Sequence, residues 1–139
     1  MGKYLMAIDA GTGSVRAVIF NLRGEQISEG QREWFHKEDP RYPGSMDFDW
    51  NYNWKLACDC IKEAIAKANI SNKEIIAIST TCMREGIVLY DENLNEIWAC
   101  ANVDARSTDE VIKLSKGDPA LELKLYHITG QSFALDALP

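Results

Sequence analysis

Apolar positions open the chain almost without interruption: Tyr4-Leu5-Met6-Ala7-Ile8 runs up to Asp9, and Val15-Arg16-Ala17-Val18-Ile19-Phe20 follows a short polar break. Both runs lack a 3.6-residue period, and the second is rich in β-branched residues, so the pattern predicts two strands joined by a bend at Gly11-Thr12-Gly13-Ser14. Asn21-Leu22-Arg23-Gly24 reads as a turn into a third, more solvated strand from Gln26 to Arg32, which completes an antiparallel meander. Lys37 to Ser45, with two prolines and a glycine, reads as a surface loop. Trp50, Trp54, Ala57, Ile61, Ile65 and Ala68 then recur at helical spacing, with Asp49 as N-cap and Asn69 as stop. This stripe is expected to pack on the meander, with the two tryptophans as core or loop anchors. Glu74 to Thr81 is nearly continuous in apolar residues and predicts a buried strand with a parallel neighbour, covered on both faces and reached by a βαβ crossover. A hairpin pairs Ile87–Tyr90 with Ile97–Cys100. A capping box at Ser107-Thr108-Asp109-Glu110 opens a helix ending at Gly117, and Asp118 with Pro119 starts a last helix that stops at Gly130.

Bulk properties narrow the classes of ligand. The chain has 139 residues, 46% of them hydrophobic and 26% charged, which suits one globular domain or a piece of one. A net charge of −6 gives no electrostatic reason to bind nucleic acid or anionic lipid, so a small anion would need a local positive site. The first apolar run is too short to span a membrane or to act as a signal peptide. Cys58, Cys60, Cys82 and Cys100 show neither disulfide density nor paired C-x-x-C spacing, and read as reduced thiols of a cytoplasmic protein. His36 and His127, the two histidines, lack the acidic partner that a catalytic base needs.

Candidate chemistry gathers at two places. In the bend, Gly11 and Gly13 permit positive φ and let a ligand approach the backbone amides, while Thr12 and Ser14 add hydroxyl donors. Asp9 at the strand end is placed to hold Mg²⁺ directly or through water, and Arg16 to reach phosphate oxygens. The Gly-Lys-Ser/Thr ending of a P-loop and the third glycine of a dinucleotide fingerprint are both missing, and each of those motifs opens a helix rather than a strand. The other reading of the bend is a plain hairpin turn with Asp9 as a turn-side polar residue. The second place is Arg84-Glu85, after the fourth strand, where a fork of donors beside a pair of acceptors could hold neighbouring hydroxyls of a polyol. The alternative there is a local ion pair or two solvated residues. Asp104 and Arg106 repeat the combination.

The glycine bend resembles the first phosphate motif of the actin-like ATPase superfamily. Cys82-Met83-Arg84-Glu85-Gly86 and Asn102-Val103-Asp104-Ala105-Arg106 resemble the substrate-side motifs of the FGGY carbohydrate kinases. Within that family, the wording from Met83 to Tyr90 and from Trp98 to Arg106 is most similar to the autoinducer-2 kinases. The resemblance implies an α/β fold of the ribonuclease-H-like, actin-like ATPase type, with ATP and Mg²⁺ as cofactors. It implies a small sugar or polyol as acceptor, foremost the linear autoinducer-2 precursor. Xylulose or glycerol as acceptor, or a non-catalytic actin-like nucleotide module, are the alternatives. By the same resemblance Asp9, Gly11, Thr12, Gly13, Ser14 and Arg16 serve the nucleotide phosphates and Asp9 the metal. Arg84 and Glu85 occupy hydroxyl-binding positions, Asp104 lines the sugar pocket and Arg106 orders its loop. Ala101-Asn102-Val103 lacks the aromatic residue that many members carry there, which argues against glycerol and simple pentuloses. Gly130 to Asp136 is similar to a further pocket stretch only loosely, and no residue is assigned from it. Residues 1–139 correspond to the N-terminal part of the family's first domain. The second half of that domain and the C-terminal domain are expected to be absent, so the general base and the adenosine motif are too. No catalytic residue is assigned here, and the chain by itself is expected to turn over negligibly. No further parallel strand is found after Thr81. An open sheet edge would follow, with a homo-oligomer or association through the missing half as its consequence.

Overall fold

Strands β1 (Tyr4–Ala10), β2 (Ser14–Asn21) and β3 (Gln26–Glu33) pair as the predicted antiparallel meander, and β4 (Ile75–Cys82) lies parallel to β1, giving the order β3-β2-β1-β4. The coordinates, a computed structural model, describe residues 2–131. They form two units. The first is drawn from the segments up to Phe35 and from Asp49 to Met83, the second from His36–Phe48 and from Arg84 onward.

In the first unit the crossover into β4 is helix α1 (Trp50–Ala68), and its ends are where local chemistry puts them. The Asp49 side chain accepts from the Tyr52 N–H at 2.9 Å, and Asn69 ends the helix in the left-handed region at φ 52°. The face it buries differs from the predicted stripe: Asn53, Ala57, Cys60 and Ala64 are buried, whereas Trp54 is 69% exposed. The reason is the closeness of α1 to β2 and β3. A Cβ on Gly30 of β3 would lie 2.3 Å from the Cys60 carbonyl oxygen, and the Ser28 hydroxyl donates to the Ala64 carbonyl at 2.7 Å. The Cys60 thiol donates to the Val15 carbonyl at 3.4 Å. Backbones this close admit glycine, alanine, serine and cysteine between them, so the large apolar side chains are displaced to the flanks.

β4 also departs from expectation. It is exposed along nearly its whole length, with Ile76 53% and Ile78 61% accessible, because β1 is its one strand partner among the described residues and α1 packs on β2 and β3. The turn before it holds a capping box that the sequence reading missed. Ser71 accepts from the Lys73 N–H, and Glu74 accepts from the Ser71 N–H at 3.0 Å.

In the second unit β5 (Ile87–Tyr90) and β6 (Glu96–Cys100) form the predicted hairpin around an Asp91 carboxylate that accepts from the Asn93 and Asn95 amides. Helix α2 (Thr108–Gly117) begins as expected but not by the predicted box: Ser107 makes no capping bond with its side chain, being already near-helical at φ −88° and ψ 5°. Helix α3 (Leu121–Thr129) starts later than predicted, because Asp118 spends its carboxylate on the Ala120 N–H in a preceding turn. Gly130 ends it at φ 75°. The loop 36–48 carries no helix; a bridge between Lys37 and Asp47 closes it on itself, and one between Asp47 and Cys100 ties it to β6. Cys60 and Cys100 are buried, and burial pushes both thiols up. Among the described residues no helix is long and apolar enough to cross a membrane, and no group of three His, Cys, Asp or Glu could hold a metal ion.

Candidate functional site

Antiparallel pairing of β1 with β2 sets Asp9 directly across from Arg16 at the end of the sheet, just below the glycine bend. Arg16 Nη2 lies 2.9 Å from Asp9 Oδ2, and Arg16 Nε donates to the same oxygen at 3.1 Å. Both side chains are substantially solvated, so the pair is worth about 0–1 kcal/mol and exchanges at little cost for a phosphate or a cation. Gly13 is exposed, with open space where a Cβ would stand, and its N–H has no partner among the described residues. Neither Gly11 nor Gly13 takes positive φ, contrary to one expectation. What glycine supplies here is access to the backbone. From below, the bend is held by the Met83 N–H, which donates to the Ala10 carbonyl at 2.8 Å, and by Trp34, whose backbone and indole N–H groups reach the carbonyls of Gly11, Thr12 and Gly13.

A Mg-nucleotide fits this donor set. Asp9 Oδ1 has no partner among the described residues, Gly13 offers an amide and Arg16 a half-exposed cation. Mg²⁺ takes hard oxygen ligands and keeps several waters, so a single carboxylate beside phosphate oxygens is an ordinary protein contribution.

In the second unit Arg84 and Glu85 are both exposed, and neither makes an ion pair or hydrogen bond among the described residues. The local Arg84–Glu85 ion pair considered above is therefore not formed. Glu85 is held at φ 68°, in the left-handed region that disfavours a side chain by about 1 kcal/mol or more. Two adjacent, unpaired, opposite charges on a strained turn form a set of donors and acceptors with its hydrogen-bonding capacity unspent.

Asp104 is placed differently. Its side chain has no exposed surface. The carboxylate accepts from the Met46 N–H at 2.6 Å, the Arg106 N–H at 3.1 Å, and Arg106 Nε and Nη2 at 2.9 and 2.7 Å. Arg106 also reaches Asp47 at 2.5 Å and lies 4.9 Å over the Trp98 ring. Burial pushes the Asp104 carboxyl up, but the Arg106 side chain and the Met46 and Arg106 N–H groups outweigh it and hold the group below its usual value. The Arg106 guanidinium is pushed up mainly by its bonds to Asp104. Sequence reasoning linked Arg106 to this loop but missed Asp47 and Trp98. It also missed Trp34, whose signal is a tryptophan directly after a solvated strand, a residue whose N–H needs a partner once buried. The loosely similar stretch Gly130 to Asp136 lies outside the described residues from Ser132 on.

Comparison with known proteins places residues 4–135 in one lineage. The profile of the FGGY family of carbohydrate kinases, N-terminal domain, matches residues 4–135. The chain is 56% identical over 139 residues to an autoinducer-2 kinase of Salmonella typhimurium and 55% identical to one of Yersinia enterocolitica. In both cases 99% of this chain and 26% of the relative are covered, so the chain spans about a quarter of the length of the curated relatives it matches. Among solved structures, a xylulose kinase from Rhodospirillum rubrum superposes with a TM-score of 0.76 at 20% identity, over 96% of this chain and 27% of that one. Plasmodium falciparum glycerol kinase with ADP superposes at 0.75 and 15% identity, over 99% of this chain and 27% of that one. These likenesses carry the fold, a mixed parallel and antiparallel sheet with flanking helices of the actin-like ATPase type. The match over residues 4–135 carries the lineage: the chain belongs to the FGGY family of carbohydrate kinases.

Proposed function

We propose that this chain serves the ATP-dependent phosphorylation of a small polyol in the cytoplasm, as the N-terminal part of the first domain of a kinase acting on the linear autoinducer-2 precursor. The observation that carries the reading is the Arg84-Glu85 pair, exposed, unpaired and held on a strained turn. Its position in the stretch matched at 56% identity to a protein named autoinducer-2 kinase supports the choice of acceptor. Arg84 donates to acceptor hydroxyls and Glu85 accepts from them. Asp104 acts on the acceptor through the loops it ties together rather than by touching it. On the nucleotide side the amides of the bend and Arg16 bind phosphate, and Asp9 would hold Mg²⁺, which would neutralise phosphate charge. Phosphoryl transfer depends mostly on positioning and charge neutralisation, which is the chemistry these residues offer. No catalytic base is assigned on this chain.

The test grafts this chain in place of the matching quarter of the Salmonella typhimurium relative. The chimera is expected to phosphorylate the open-chain precursor from ATP, and Arg84→Ala is expected to lower kcat/KM about 100-fold, the scale of a lost charged hydrogen bond. A folded chimera that binds Mg-ATP and phosphorylates no polyol would overturn the proposal. Unchanged kinetics with Arg84→Ala would instead remove Arg84 from the acceptor site.

A further inference from the structure

We propose that Trp34 is a positioning residue for the phosphate-binding bend, holding three consecutive carbonyls on one side so that the amides are presented on the other. The proposal rests on the reading of the Gly11–Ser14 bend as a phosphate site. Trp34 follows β3 directly and is 4% exposed. Its backbone N–H donates to the Gly13 carbonyl at 3.1 Å. Its indole N–H is shared between the Gly11 carbonyl at 3.1 Å and the Thr12 carbonyl at 2.9 Å. One residue thus engages every carbonyl of the turn from Gly11 to Gly13.

The consequence follows from peptide geometry. There are no cis peptide bonds among the described residues, and in a planar trans peptide the C=O of one residue and the N–H of the next point in opposite directions. Carbonyls of Gly11, Thr12 and Gly13 drawn toward Trp34 therefore turn the amides of Thr12, Gly13 and Ser14 away from it. Successive amides facing one side form a concave anion site, the arrangement that binds phosphate without a cationic side chain. Glycine leaves the bend free to adopt many conformations, and a preset turn spares the ligand the ordering cost. Phenylalanine at position 34 would keep the ring's packing but could satisfy neither the Gly11 nor the Thr12 carbonyl, and the bend would lose its preferred orientation.

The experiment uses the ¹⁵N-labelled 139-residue chain as wild type, as Trp34→Phe and as the control Trp54→Phe, which alters an exposed ring on α1. Mg-ADP is titrated into each while the Gly11, Thr12, Gly13 and Ser14 amides are followed. The expected result is saturable shifts in wild type and in Trp54→Phe. In Trp34→Phe the Kd should be about fivefold weaker, the factor set by one net hydrogen bond. Exchange of the Trp34 indole proton in wild type should slow on saturation with Mg-ADP while that of Trp54 does not, a response that packing alone would not give. If wild-type amides fail to respond to Mg-ADP, the phosphate reading falls and this proposal falls with it. If they respond and Trp34→Phe binds as tightly as wild type, the proposal alone is overturned. Should Trp34→Phe fail to fold, the wild-type indole exchange decides, and an exchange rate indifferent to Mg-ADP overturns the proposal.

Discussion

Asp104→Asn removes one charge from the most heavily bonded side chain of the second unit. The carboxylate now meets donors on both oxygens, with the Met46 N–H at 2.6 Å on Oδ2 and the Arg106 N–H at 3.1 Å on Oδ1. An amide keeps one acceptor oxygen and must turn an NH₂ toward a donor on the other side, so at least one buried contact becomes donor against donor. Breaking a buried ion pair from one side costs about 3–5 kcal/mol. Arg106 keeps Asp47 and is 23% exposed, which lowers the expectation to about 2–3 kcal/mol. In urea that is a midpoint about 1 M lower, read from the amide signals of Ala99, Cys100 and Ala101. The pH dependence follows from the sign of the shift. Asp104 titrates below its unfolded value of about 3.9. Its contribution is therefore fully present above that pH and is lost as pH falls through the lower folded value. The gap between wild type and Asp104→Asn should be constant from pH 7 to 5 and should close below about pH 4. A gap under about 0.5 kcal/mol at pH 7, or one that persists unchanged at pH 3, would refute the account of Asp104 as the charged centre of the clamp.

Three further outcomes are expected. Gly30→Ala should destabilise the first unit by about 1–3 kcal/mol, since the new methyl would meet the Cys60 carbonyl at 2.3 Å and α1 must move away; thermal unfolding at wild-type stability would show that the close approach is not constrained. Glu85→Gly should stabilise the second unit by about 1 kcal/mol by relieving the left-handed backbone, while weakening polyol binding; calorimetry showing gains in both would remove Glu85 from the acceptor site. Asp9→Asn should leave stability within about 1 kcal/mol, because its pair with Arg16 is solvated, yet abolish the Mg²⁺-dependent part of ADP binding; equal ADP affinity with and without Mg²⁺ in wild type would count against Asp9 as the metal residue.

What the sequence determined by itself are features whose physics acts within a few residues. The meander, the bend between β1 and β2, the Asp49 cap and the Asn69 stop all follow from side-chain periodicity, glycine and short-range hydrogen bonding, and each appears where the pattern puts it. The candidate residues of the bend and the Arg84-Glu85 pair were visible for the same reason, as local clusters of polar chemistry at strand ends. Tertiary structure decided the rest. The buried face of α1 was set by how near its backbone comes to Gly30 and Ser28, a distance that no hydropathy pattern encodes. The exposure of β4 depends on what packs beside it and not on its own apolar content. Asp104, by resemblance a lining residue of the sugar pocket, is bonded by the Met46 N–H from nearly sixty residues away, while Asp47 of the same loop takes the Arg106 guanidinium that also holds Asp104. Trp34 became part of the glycine bend because β3 returns beside β2 and delivers an indole to the carbonyls of Gly11 and Thr12. Contacts between distant segments exist only once the chain has closed on itself, and they determine which exposed-looking polar residues remain available to a ligand.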